Sequence, residues 1–377
     1  MPPDGRIPAF VIDQSKVVRE EFDITFISFA PKQVGIRSIF KFLNPVQIDK
    51  RLLNDKFPIL SASYLQYWFL PKCINKYLRR KTLNKLDSEL SLSKKNDLFI
   101  HAHCMFYAAF WAYDIHTTFG TPYLYTENNQ VTLREISKSR IDKAQQVLNK
   151  AKTILTPSHD KGRQLLNLGF RFNFSFIGNL VDERVYFPKE KKESSVFKIM
   201  TIGAYHHLKD QNTIFEMLKM LDNKQYNRSI EFVYAGYNRW GGDMTNTLNK
   251  KIESLGLKNV KVTLVPPVAR QELVDMLGQS DLFVFSSISE GMPLAVMEAL
   301  ASGVPVCTTQ CGGVDELITE FNGKVIHLRD YNAMFDFTEK CIKGELKFNK
   351  QKIAQNIVAD YGTEAFKRKL LKYYTFN

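Results

Sequence analysis

Short apolar runs recur along the chain at 24–29, 98–102, 123–126, 153–156, 174–177, 198–203, 231–235, 260–264, 282–286, 305–308 and 324–327. Between most of them lie segments of helical length with apolar positions on one face. Alternation of this kind predicts a parallel sheet covered by helices on both faces, so the expected fold class is α/β. Residues 10–18 read as a helix, and no strand pattern precedes them. A parallel sheet ordinarily begins with a strand, which leaves two readings. Either the first strand of the N-terminal domain is missing and lies upstream of Met1, or the domain is built without it.

The 377 residues are too many for one ordinary core and predict two domains. One composition shift divides them: the polar stretch from Pro188 to Ser195 reads as a linker. The expected domains are therefore 1–187 and 188–362. No repeat and no low-complexity tract interrupts the pattern.

Composition narrows the class. Apolar content of 44% and charged content of 24% are those of a globular protein. No apolar run approaches the roughly 18–20 residues needed to span a bilayer. The first six residues lack the apolar core of a signal peptide, so the expected location is cytoplasmic. The five cysteines form no Cys-x-x-Cys pair and read as buried thiols. The formal charge is +13 and uneven: residues 1–188 carry 27 Lys/Arg against 17 Asp/Glu, the rest 25 against 22. That excess points to an anionic partner. Its densest part, Lys72 to Lys95, follows the aromatic run from Tyr64 to Pro71. It reads either as an interfacial helix on anionic lipid or as a domain helix with a solvated basic face.

The chemistry concentrates between Ser289 and Gly313. The run from Ser289 to Pro305 follows a strand and reads as a helix, with Pro293 in its first turn and Gly303 at its end. A helix start at the carboxyl end of a parallel strand is where open α/β sheets bind ligands. Its free amides and dipole favour phosphate, and Gly291 lets a ligand approach the backbone. Glu298 stands among Leu, Ala, Val and Met. It lies either on a narrow exposed stripe or against a partner such as ribose hydroxyls, because burying it unpaired is costly. Glu290 can contact a sugar or simply complement the helix dipole. Lys209, a short loop after the strand at 198–203, is either a surface lysine or the cation for a diphosphate. One unit-charge pair at about 4 Å and an effective dielectric near 20 is worth roughly 4 kcal/mol. No Walker loop, Gly-x-Gly-x-x-Gly fingerprint, Gly-x-Ser-x-Gly elbow or Asp-x-Asp pair occurs.

Glu290 and Glu298, with seven residues between them, resemble the two-glutamate motif of glycosyltransferase family 4 (group 1). The resemblance continues through Cys311 to Ile318, Asn322-Gly323, Val233 to Gly236, Gly203 with Lys209-Asp210, and Ile177 to Pro188. It is looser in His101-Ala102-His103, Gly120 to Pro122 and Thr126 to Asn128. It implies the GT-B fold: two Rossmann-like domains facing across a cleft, the N-terminal one completed by a C-terminal helix at about 363–377. It also implies roles. Glu298 would bind the donor ribose, Lys209 the diphosphate, and Glu290 the sugar and distal phosphate with Gly291, Met292, Pro293 and Leu294. Gly203 would line the donor site, and His103 and Asn128 the acceptor or sugar.

Three positions depart from the family. Ala204 stands where an arginine is common, Asn128 where a histidine is common, and Ala9 where a glycine is common.

The implied activity is retaining transfer of a hexose from a UDP- or GDP-linked sugar, without metal or other cofactor, to a lipid-linked or saccharide acceptor. Surface polysaccharide, lipopolysaccharide, capsule or glycolipid synthesis would be the setting, with peripheral attachment to an anionic membrane surface. The rivals are a GT-B-fold sugar-nucleotide epimerase and a non-catalytic sugar-nucleotide-binding subunit. A nucleic-acid partner has only the net charge in its favour.

Overall fold

The computed structural model describes residues 7–375 except 34–44, 54–56, 67–71, 96, 129–136, 192–193 and 238–242. The chain forms two compact units. Unit 1 comprises residues 1–156, 165–176 and 371–377; unit 2 comprises 157–164 and 177–370.

In unit 1, the helix α1 (Ala9–Lys16) leads to β1 (Phe26–Gln33), β2 (Val46–Leu52), β3 (Pro58–Gln66) and the long helix α2 (Lys72–Leu90). Next come β4 (Ile100–His103), α3 (Phe110–Phe119), β5 (Tyr123–Thr126), α4 (Lys138–Lys150), β6 (Thr153–Thr156), α5 (His159–Asn167), whose first residues group with unit 2, and β7 (Ser175–Phe176). The strands form two sheets, ordered β1-β3-β2 and β4-β5-β6-β7. The second is wholly parallel, as expected, but β2 runs antiparallel to β3.

The apolar pattern does not reveal β2 or β3. Within β2 only Val46 and the half-buried Ile48 turn away from water. In β3 the run Ser61-Ala62-Ser63 breaks the alternation, although Ala62 is fully buried. One core joins Leu60 and Ala62 of β3 to Leu83 and Leu86 of α2 and to Trp111 and Ile115 of α3. Tyr64, read as the start of the aromatic run ahead of the basic helix, sits in β3, edge-on to Trp111 at 5.2 Å. Residues 67–71 of that aromatic run lie outside the described residues.

Unit 2 holds β8 (Val196–Ile202), α6 (Gln211–Asp222), β9 (Ser229–Ala235), α7 (Thr245–Glu253), β10 (Val260–Val265), α8 (Arg270–Gly278) and β11 (Leu282–Phe285). It continues with α9 (Leu294–Ala301), β12 (Val306–Thr309), β13 (Gly323–Ile326), α10 (Tyr331–Ile342), α11 (Lys350–Tyr361) and α12 (Thr363–Tyr374), whose last residues group with unit 1. Its six strands form one parallel sheet in the order β10-β9-β8-β11-β12-β13. Strand order reverses between β8 and β11, and such a reversal opens a crevice at the carboxyl ends of the strands.

The described residues contain no strand ahead of α1, and among them β1 pairs only with β3 and β4 only with β5. No helix among them is long and apolar enough to cross a membrane. Four cysteines are buried as expected, but Cys73, on α2, is exposed.

Candidate donor site at the start of helix α9

The loops after β8 and β11 flank the crevice, and each brings one charge to it. Lys209 ends a 3-10 turn, His207–Lys209, behind β8. Glu290 follows β11. Lys209 Nζ lies 2.5 Å from Glu290 Oε1. Ser287 Oγ is 2.7 Å from the same carboxylate oxygen, and Ser286 Oγ donates to Lys209 O at 2.8 Å. The two loops are also tied through the backbone, Ile288 N donating to Leu208 O at 2.8 Å. Both side chains of the ion pair keep partial access to water, 28% for Lys209 and 16% for Glu290. Sequence reasoning placed these two groups at one site but did not foresee that they pair with each other.

Helix α9 opens just beyond. Pro293 occupies the position before the first helical residue, with ψ 113°, rather than the first turn itself. The first amides of a helix have no partner within it, so those of Leu294 to Val296 are the anion-binding end. Gly303, at φ +75°, ends the helix as expected.

The glycines that close packing demands lie elsewhere. A Cβ on Gly291 would meet only Pro157 Cγ at 3.5 Å. A Cβ on Gly312 would sit 2.5 Å from Glu290 O, and one on Gly313 2.5 Å from Ser158 Cβ. Gly291 O accepts from Gly313 N and from Ser158 Oγ, each at 2.8 Å. Gly312 and Gly313 therefore let the loop after β12 clamp the backbone of the Glu290 loop. Gly203, at φ +154°, lies where its added Cβ would be 3.9 Å from Lys209 Cε.

Glu298 is half-buried, and it has a protein partner: Tyr186 Oη donates to its Oε1 at 2.8 Å. Tyr186, 2% exposed, accepts in turn from Arg270 Nε at 3.2 Å. Nearby, Asn179 Nδ2 donates to Met292 O at 2.9 Å. The stretch 177–188 thus braces α9 at its start and at its middle. Neither Tyr186 nor Arg270 was singled out from sequence, since neither carries a spacing signal of its own.

At Ala204 the side chain is buried, 3% exposed, and Gln211 Nε2 donates to its carbonyl at 2.8 Å. The spot holds packing rather than a second cation. His206 and His207 are exposed, with their ring centres 4.1 Å apart. Burial, reinforced by the Glu290 charge, pushes the Cys311 thiol up to about 12, which leaves it un-ionised.

In unit 1, His103 ends β4 and Asn128 follows β5. His103 Nδ1 is 2.9 Å from Asn128 Oδ1. A carbonyl oxygen only accepts, so Nδ1 carries the proton and Nε2 keeps a bare lone pair. Burial lowers His103 to about 4, although the bond to Asn128 acts the other way. His101, its ring centre 4.2 Å from that of His103, is lowered well below the ordinary histidine range by burial and by His103. Its ring nitrogens are held by Tyr374 Oη and Thr126 Oγ1, each at 2.7 Å.

Immediately after His103, Cys104 adopts φ +76°, uncommon for a residue with a Cβ, and opens a π-helical turn, Cys104–Ala109. The fully buried Glu127 fixes that turn by accepting from Met105 N at 3.3 Å and from Tyr125 Oη.

Comparison with known proteins defines the class. Among solved structures, the chain is similar to Anabaena HepE in complex with UDP and glucose, with a TM-score of 0.71 and 14% identity over 98% of this chain and 96% of that one. The fold is GT-B, with two Rossmann-like domains. Residues 182–357 match the family of glycosyl transferases, group 1.

A curated relative, the UDP-Gal:alpha-D-GlcNAc-diphosphoundecaprenol alpha-1,3-galactosyltransferase of Escherichia coli, is 35% identical over 147 residues, 39% of this chain and 36% of that protein. The D-inositol 3-phosphate glycosyltransferase of Paenarthrobacter aurescens (strain TC1) is 29% identical over 148 residues, 37% of this chain and 36% of that protein. The chain thus matches about a third of the length of these curated relatives.

Proposed function

We propose that the protein is a retaining glycosyltransferase that moves a hexose from a UDP- or GDP-linked sugar to a hydroxyl of a lipid-linked or saccharide acceptor. Surface polysaccharide or glycolipid synthesis is the setting its relatives suggest. The observation that carries this reading is the set Lys209, Glu290, the first amides of α9 and Glu298, gathered at the carboxyl ends of β8 and β11. The set has a place for each part of a nucleotide sugar: hydroxyl-accepting carboxylate, anion-binding amides, cation.

Lys209 and the α9 amides are the groups to stabilise charge growing on the leaving diphosphate. Glu290 then exchanges its ion pair for contacts with the sugar. In retaining transfer the acceptor hydroxyl attacks from the face the diphosphate leaves. Its proton passes to a diphosphate oxygen, so the protein orients the partners rather than supplying a nucleophile. In unit 1, the neutral His103, with Nε2 as acceptor, suits contact with an uncharged hydroxyl. Lys209 and the amides supply the positive charge, so turnover is expected to persist in EDTA.

The exposed face of α2, with Lys76, Tyr77, Arg80 and Lys81, suits an anionic membrane surface. Flotation with anionic vesicles at low salt tests that part, and protein left at the bottom of the gradient removes it. Incubation with labelled nucleotide sugars and lipid-linked acceptors tests the activity. Transfer with the anomeric configuration kept is the expected result. Epimerised donor formed without acceptor would replace this reading with an epimerase.

A further inference from the structure

Tyr186, Arg270 and Glu298 form a chain of hydrogen bonds whose direction is fixed by chemistry. Arg270 Nε can only donate, at 3.2 Å, so Tyr186 Oη accepts from it. The one hydroxyl proton of Tyr186 is then committed to Glu298 Oε1, at 2.8 Å. The Arg270 guanidinium carbon also lies 5.2 Å from the centre of the Tyr186 ring, which keeps the group over the tyrosine it directs. Burial and the Glu298 charge push the Tyr186 hydroxyl well above its ordinary range, so it remains a donor at any working pH.

Glu298 gains a defined position by this. It stands on a helix whose Val296, Met297, Ala299 and Leu300 are buried, and those side chains offer it no polar contact. A carboxylate with several rotamers loses entropy when it must accept two hydroxyl protons from a ribose. One already held at one oxygen loses less.

We propose that Tyr186 is a positioning residue for Glu298, directed by Arg270, and that it sets how strongly the protein distinguishes a ribonucleotide from its 2′-deoxy analogue. The proposal rests on the reading of Glu298 as the ribose contact. Tyr186 touches the carboxylate, not the ligand, so it acts only through Glu298.

The test is calorimetric titration of the full chain with whichever of UDP and GDP it binds, and with the matching 2′-deoxynucleotide. Wild type, Tyr186→Phe, Glu298→Gln and the double variant are compared. Phenylalanine keeps the buried ring and removes only the hydroxyl. A hydrogen bond to a charged group makes the expected loss roughly tenfold for the ribonucleotide. Little loss is expected for the deoxynucleotide, so the ratio of the two affinities falls. In the double variant, the tyrosine substitution adds nothing further.

If Glu298→Gln loses the ratio but Tyr186→Phe keeps it, or loses both affinities equally, Tyr186 is a packing residue and the positioning role is wrong. If Glu298→Gln binds both nucleotides as wild type does, the ribose assignment itself is wrong, and the positioning role falls with it.

Discussion

At the start of α9 in unit 2, Lys209, Glu290 and Glu298 meet charged or hydrogen-bonding partners. At the end of β4 in unit 1, burial keeps His101 and His103 neutral. The first arrangement holds an ion pair with partial access to water, in which, on the proposed function, a diphosphate would take the place of Glu290 on Lys209. The second presents lone pairs without charge, which suits an uncharged hydroxyl. On the proposed function, the contrast would give each region a different half of a group transfer, and four experiments press on it.

The largest effect is expected at Lys209. Lys209→Ala removes the cation facing the leaving diphosphate and should lower kcat/KM by about 10²- to 10³-fold, as for loss of one preorganised electrostatic group. Steady-state kinetics at saturating acceptor measure it. A variant within threefold of wild type would move the charge-handling role elsewhere.

Next comes the clamp behind Glu290. Gly312→Ala forces a Cβ to 2.5 Å from a backbone oxygen at φ +61° and should cost about 2–3 kcal/mol in denaturant unfolding. Gly291→Ala meets only an ordinary contact and should cost less than about 1 kcal/mol. Equal costs would mean that the loop after β12 does not clamp the Glu290 loop.

The third effect is a pH dependence that belongs to unit 1. His103 takes up a proton near 4 in the folded protein but near 6.5 when unfolded. The unfolded state therefore binds more protons between those values, so stability is full above about 6.5 and falls as pH drops toward 4. His101 acts in the same direction. Unfolding midpoints at pH 7 and pH 5 should differ less in His103→Gln than in wild type. An undiminished difference would show that the imidazole is not held neutral by its surroundings.

The smallest effect is expected at Asn128. Asn128→Leu frees Nδ1 and lets His103 sample both tautomers, which ¹⁵N shifts of labelled histidine resolve. A few-fold fall in turnover should accompany the change. A single Nδ1–H tautomer surviving in the variant would mean that something other than Asn128 sets it.

Much of unit 2 was legible because its strands carry apolar runs, with β11 buried at every position. The end of α9 followed from Gly303 and its start, within one residue, from Pro293. In unit 1 the apolar runs marked β1, β4, β5, β6 and β7, but not β2 or β3. The exposed strand β2 and the serine-interrupted β3 carry too little apolar contrast. Tyr186 and Arg270 were hidden for another reason. Their partner is 112 residues away from Tyr186, and no local pattern marks so distant a contact. The close approach at Gly312 was likewise invisible, because sequence shows the glycine but not the backbone it lies against.

The most direct measurement is calorimetric titration of UDP and of GDP into the full chain, repeated with Lys209→Ala and with Asn128→Leu. One of the two nucleotides is expected to bind with a stoichiometry of one. Binding should weaken about 100-fold in Lys209→Ala and stay unchanged in Asn128→Leu. Binding that survives Lys209→Ala but fails in Asn128→Leu would put the nucleotide in unit 1. Failure of both nucleotides to bind a cooperatively folded chain would contradict a donor site at α9.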